Sequence, residues 1–307
     1  MLSVSMVKEL REKSGAGMMD CKKALLETDG KIEEAIDWLR KQGLSAVAKK
    51  SSRVAAEGLI GVTVKDNQGA LIEINSETDF VARNELFQDF VKTCSDLSLT
   101  CNEDIEILKQ MQYPNTGRSV DQELANNIAT IGENMNVRRS KILKVSNGVI
   151  ISYVHNSVAD GLGKLGVLVA LESNGDKDKL SSVGKQIAMH IAATSPKSLN
   201  IEDLDEDVVD RERQVLIDQA VASGKPKEIA EKMVKGRMIK YFQEVVLNEQ
   251  VSVIDGETKI KDVVTKLQKD LDTEVKLAGF IFLKLGEGIE VSENDFAAEV
   301  AATAGIK

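Results

Sequence analysis

An order of segments that reads hairpin, helices, strand occurs twice along the chain, and this recurrence constrains the fold more than any other feature. In the first copy Leu59 to Val64 alternates as a strand, Asp66-Asn67-Gln68-Gly69 supplies turn residues, and Ala70 to Asn75 returns. Helical segments continue to about Ile131, and Val137 to Val145 closes the copy as a strand carrying Ile142, Leu143 and Val145. In the second copy Gly148 to His155 and Leu165 to Leu171 form a longer hairpin, Leu180 to Ala193 a helix and Val275 to Leu285 the closing strand. LIEINSETD lines up with VLVALESNG, and VRRSKILKVSNG with VKLAGFIFLKLGEG. The expectation is an α+β fold whose core, residues 58–147 and 148–285, is two related subdomains with antiparallel sheets.

Three further segments surround that core. Residues 1–43 read as three short helices, because Val4, Val7 and Leu10, then Cys21, Ala24 and Leu25, then Ile32, Ala35, Ile36 and Leu39 recur at helical spacing. So small a bundle suits docking better than catalysis. Residues 44–57 show no strong period and read as a linker in which Lys49, Lys50 and Arg53 are solvated. A helical hairpin at about 205–247 interrupts the second copy: Val208, Val215 and Ala222 lie seven apart on one arm, and Ala230, Met233, Val234, Met238, Tyr241 and Val245 stripe the other. Gly224 and Pro226 mark its turn, and the pattern fits an antiparallel coiled coil. Residues 286–307 read as a terminal module in which Ser292 can cap a short helix with Phe296 and Val300 on one face.

Composition removes several classes of function. A net charge of −9 opposes a polyphosphate partner, and 4% aromatics is too little for a base-stacking platform, so no direct nucleic-acid binding is expected. No apolar run approaches the roughly 18 residues of a membrane span, and the amino terminus looks like neither a signal nor a transit peptide, which suggests the cytoplasm. The three cysteines, Cys21, Cys94 and Cys101, include no C-x-x-C and read as buried apolar residues.

The string Gly161-Leu162-Gly163-Lys164-Leu165-Gly166 fits G-x-G-x-x-G, but a strand follows it where a dinucleotide site needs a helix, so it reads as a hairpin loop. No P-loop motif occurs. His155 and His190 are the only histidines and have no local partners for a metal or a nucleophile; His190 reads as an interior or boundary residue and His155 as exposed. The acids between Glu202 and Glu212 lack the glycine of a calcium loop and read as a solvated helix start. Catalytic residues, a metal site and a cofactor are therefore not expected. Glu77-Thr78-Asp79-Phe80-Val81-Ala82-Arg83-Asn84 differs from these. Thr78 or Asp79 suits a helix cap, and Phe80 beside it either staples inward or protrudes as a wedge.

The strings VKELREKSGAGMMDCKKAL, TDFVARN, IGENMNVRR, HIAATSP, GKPKEIAEKMVKGRM and DFAAEVA, spread over the whole chain, resemble those of translation elongation factor Ts. The resemblance implies a ubiquitin-associated-like amino-terminal module, the duplicated core, a coiled-coil insertion and a carboxy-terminal helix. It implies a guanine-nucleotide exchange factor, not an enzyme, whose partner is elongation factor Tu. In that family the TDFV residues, here Thr78, Asp79, Phe80 and Val81, disturb the partner's magnesium site so that GDP leaves. By the same resemblance Met18, Met19, Ile131, Gly132, His155, Phe296 and Val300 fall at partner-binding positions, and the hairpin serves self-association or a wider contact surface. The loop around His155, NSVADGLGKLG, is longer than the family pattern leads one to expect. Rival readings are a ubiquitin-like adaptor resting on residues 1–43 alone and a hydrolase built on the α+β core.

Overall fold

The computed structural model describes residues 3–14, 16–224 and 226–290. The amino-terminal helices are α1 (Val4–Ser14), α2 (Met18–Glu27) and α3 (Ile32–Lys50). They close over Val7, Leu10, Cys21, Ala24, Leu25 and Ala35, with Ile32, Ile36 and Leu39 at the margin, so the helical spacing is realised as packing except at Val4, which is 73% exposed. Helix α3 corrects one expectation, since it runs into the segment read as a linker. Ala, Leu and Lys there are good helix formers without needing an apolar stripe. Nor are Lys50 and Arg53 merely solvated. Lys50 Nζ donates to the Ile128 carbonyl at 3.3 Å, and Arg53 pairs with Glu77.

The first copy of the core comprises β1 (Glu57–Lys65), β2 (Gln68–Ser76), α4 (Glu85–Ser98), α5 (Ile105–Gln110), α6 (Val120–Ile131) and β3 (Met135–Lys144). In the second, β4 (Gly148–His155) is followed by the two-residue β5 (Leu162–Gly163), then β6 (Leu165–Ser173) and α7 (Lys177–Thr194). A hairpin of α8 (Glu206–Ala222) and α9 (Lys227–Val245) precedes α10 (Ile260–Leu271) and β7 (Val275–Lys284). The sheets are antiparallel with orders β3-β2-β1-β5 and β4-β6-β7, so each copy places its second strand between its first and third. This is the α+β architecture expected.

The duplication extends to backbone irregularities. Gly58 and Gly148 open their hairpins at φ 122° and 134°, and a Cβ on either would collide with the carbonyl of Ile74 or Leu171 respectively. The outer pairings slip by one residue at Glu73/Ile74 and at Ala170/Leu171, which are equivalent positions. These landmarks correct the sequence alignment by one residue, matching LIEINSETD to LVALESNGD.

Four layers result. The two sheets face each other across Ile60, Leu71, Ile150, Leu168 and Leu283. Approach is close at the equivalent Gly69 and Gly166, where a Cβ would press on Ile150 or Ile60 at 2.9 and 2.7 Å. Outside the first sheet, Phe87, Phe90, Val91 and Ile128 of α4 and α6 cover Leu59, Ile72 and Ile74; outside the second, Ile187, Ile191, Val264 and Leu267 cover Val167, Val169 and Leu171. Strand β5 leaves its own copy to pair with β1 through Ile60↔Gly163 and Gly61↔Leu162. The glycine string is thus a hairpin loop, as its context implied, but one that completes the other copy's sheet.

The helical hairpin forms, with its seam on a different face of α8. Ala220, Ala230, Val234 and Met238 are buried between the arms with Val209, Leu216 and Ile217 beside them, whereas Val208 and Val215 are exposed at 38% and 44%. Ala222 is exposed as well. Phe296 and Val300 lie outside the described residues.

Candidate functional site

Strand β2 ends at Ser76, and the chain then has to turn before α4 can begin. Neither Thr78 nor Asp79 caps that helix, contrary to expectation. Asn84 does so: its side-chain oxygen accepts from the amides of Leu86 and Phe87 at 2.9 and 3.4 Å. Asparagine, at the residue just before the apolar run of α4, carried this signal in the sequence.

With the cap displaced, residues 77–84 form a loop ending in a short 3-10 turn, Val81–Arg83. Val81 and Ala82 sink into the first core at 4% and 3% exposure, while Phe80 is 78% exposed. The two readings of Phe80 are therefore separated: the ring stands out in solvent and its successors act as the inward anchor. Phe80 holds ordinary helical backbone angles, φ −63° and ψ −35°, so its exposure carries no backbone strain. Asp79 is exposed beside it, with no ion pair among the described residues.

Thr78 is gripped. Its amide donates to Glu133 Oε2 at 2.9 Å, its hydroxyl donates to Glu133 Oε1 at 2.7 Å, and its carbonyl accepts from the Ser76 hydroxyl at 3.0 Å. Glu133 belongs to the turn after α6, where Gly132 ends the helix in the left-handed conformation at φ 94°. Next to it the Asn134 amide donates to Glu77 Oε1, and Asn134 Nδ2 donates to the Arg53 carbonyl at 2.7 Å. The fold thus joins Glu77 and Thr78, at the start of this loop, to Glu133 and Asn134, which follow Ile131 and Gly132 in the chain. Ile131 packs partly on the first core and Gly132 is exposed. Glu133 and Asn134 escaped the sequence reading because a polar pair after a helix looks like any solvated turn.

Met18 and Met19 open α2, exposed at 44% and 73%, with Leu26 of the same helix at 58%. His155 is exposed at the end of β4, where Nδ1 lies 3.1 Å from the Tyr153 hydroxyl. These residues lie on other elements than the Phe80 loop.

Groups of chemical interest are dispersed. His190 is fully buried: Nδ1 accepts from the Val253 amide at 3.2 Å, which leaves Nε2 to donate to Gln250 at 2.9 Å. Burial holds its pKa below the usual value of 6.5, against the Gln250 bond. All three cysteines are buried, and burial pushes the Cys94 thiol far up. No group of three potential metal ligands occurs among the described residues, nor does any described helix have the length and apolarity to cross a membrane. An open groove of about 520 Å³ lies against β7 and α10, lined by Leu199, Asn200, Lys261, Val264 and Leu277, on the second copy.

Residues 77–287 match the family model described as Elongation factor TS. The chain is 59% identical to Elongation factor Ts of Rhodospirillum centenum, with 99% of each chain covered. Against Elongation factor Ts of Rhodospirillum rubrum it is 56% identical over 98% of each chain, and against that of Paramagnetospirillum magneticum 56% identical over 100% of this chain and 98% of the relative. With the match running through the duplicated core and both ends of the site, the chain belongs to the elongation factor Ts family and is a translation elongation factor.

Proposed function

We propose that this factor binds elongation factor Tu in its GDP form and speeds GDP release by driving Asp79 and Phe80 toward the partner's magnesium site. One observation carries the reading: a phenyl ring 78% exposed on a turn whose next two residues are buried. An exposed ring on a fixed turn is suited to enter a neighbour, since its backbone is already ordered when contact is made. The chemistry at the far side is electrostatic. A magnesium ion beside the partner's diphosphate would offset its negative charge, and displacing that ion would leave the charge uncompensated and raise the nucleotide's off-rate.

Other contacts in this reading fall to Met18 and Met19, whose flexible thioethers suit a docking face, to Ile131 and Gly132 beside the loop, and to His155 on the second copy. Val81 acts from within as the anchor that keeps Phe80 outward. No covalent step is involved, and the factor is not a catalyst of bond making; it works in the cytoplasm where translation runs. Factor and nucleotide each weaken the other's hold by one coupling free energy, so GTP later releases the factor.

The test is stopped-flow release of a fluorescent GDP from elongation factor Tu. Asp79→Ala with Phe80→Ala is expected to slow release at least tenfold, on the order of 1.4 kcal/mol or more, with circular dichroism and melting unchanged. Wild-type release rates in a folded double variant would reject the wedge.

A further inference from the structure

We infer that Glu133 is a positioning residue that holds the Asp79–Phe80 wedge outward and ties it to the neighbouring contact turn; this rests on the exchange reading above. Its carboxylate takes both donors of Thr78, the amide at 2.9 Å and the hydroxyl at 2.7 Å, one residue before the wedge. Among the described residues it has no ion-pair partner, so an anionic group is committed to two neutral donors of a turn. Hydrogen bonds to a charged acceptor are roughly twice as strong as neutral ones, which is what a turn with little apolar burial of its own needs.

Two anchors therefore bracket Asp79 and Phe80. On one side Thr78 has its amide, hydroxyl and carbonyl all engaged; on the other Val81 and Ala82 are buried. Between them the exposed pair has few conformations left, so less ordering is required on contact. Glu133 also follows directly on Ile131 and Gly132, and Asn134 bonds both Glu77 and the Arg53 carbonyl just beyond α3. Three segments meet here: the end of the amino-terminal module, the wedge loop and the turn after α6. A partner pressing on the turn at Gly132 presses on the wedge loop, most directly through the Glu133 side chain on Thr78.

The experiment compares Glu133→Ala, Glu133→Gln and wild type in full-length protein, measuring GDP release from elongation factor Tu against factor concentration. Hydrogen exchange of residues 77–82 is followed in the free protein. For Glu133→Ala we expect the maximal release rate to fall about tenfold, with the half-saturating concentration and melting temperature nearly unchanged, and exchange at Thr78 to quicken. Glutamine keeps one carbonyl for the Thr78 amide and can donate to its hydroxyl oxygen, so Glu133→Gln should recover much of both. Should Glu133→Ala match wild type in maximal rate and in exchange, the positioning role fails. A Glu133→Ala defect confined to half-saturation, or one shared with a melting loss and not relieved by glutamine, equally overturns it. If wild type itself does not accelerate release, the exchange reading fails instead, and the hydrogen-exchange comparison still decides whether Glu133 orders the loop.

Discussion

Glu73 is a carboxylate with no exposed surface, set in the middle of a β-strand and facing the opposite sheet. Such a charge persists only if its oxygens are filled. Arg138 donates to both of them at 2.9 and 3.1 Å, Arg139 Nε to Oε2, Asn75 to Oε1 at 3.0 Å and the Gly286 amide to Oε1 at 2.8 Å. Burial alone would raise the pKa, but the bonds from Gly286, Asn75 and Arg139 outweigh it and hold the group below its ordinary 4.5. A depressed carboxylate contributes stability above its unfolded pKa and loses it as pH falls through the folded value. His190 adds a second acid-sensitive contribution in a higher window, because a histidine kept neutral by burial loses stability as pH falls from 6.5 toward its lower folded pKa. Denaturant unfolding followed from pH 8 to pH 3 should therefore decline in two ranges. His190→Leu should flatten only the upper range and Glu73→Gln only the lower. A single decline, untouched by either change, would contradict the assignment. Alternation in LIEINSE gave no hint of Glu73, because it assigns one face of a strand to water, whereas both faces of β2 are covered.

Whole elements were legible wherever an apolar face is buried against one neighbour, and less so where two faces compete. The strands and α7 lie close to their sequence-derived bounds because alternation and helical spacing there reflect burial directly. On α8 two apolar sets run side by side, Val208 and Val215 in one, Val209 and Leu216 in the other. Spacing cannot choose between sets offset by a single residue; the choice is made by the opposing arm, where Ala230, Val234 and Met238 present the complementary seam. The consequence is measurable in the hairpin alone. Val215→Lys, on the outer face, should alter stability by no more than about 0.5 kcal/mol, whereas Val234→Asp buries an unpaired charge and should cost about 3 kcal/mol or more. Proteolysis near Gly224 would report it, with Val234→Asp cut faster and Val215→Lys cut as wild type is. The loop at 77–84 was legible in the same partial way. Its content pointed to a cap followed by an aromatic, but the cap is Asn84 and not Thr78 or Asp79, which frees Thr78 for Glu133 and leaves Phe80 outside.

At the scale of the molecule the duplication was legible and its connection was not. Two residues of strand leave no period to detect, so nothing in the glycine string revealed that Leu162 and Gly163 pair with β1 of the other copy. Leu162 nevertheless sits fully buried in the first core with Leu59, Phe87 and Val91, although it belongs in sequence to the second. Add the facing sheets and the bonds from Arg138 and Arg139 to residues 284–287, and neither half is closed without the other. Leu162→Ala should then cost about 2–5 kcal/mol, as large-to-small changes in a packed core do. The loss should appear across the copies, as faster native-state hydrogen exchange in β1 and α4, more than in β6 and α7 to which the residue is nearer in sequence. Loss of protection confined to β6 and α7 would mean that Leu162 supports its own copy and not the core of the first.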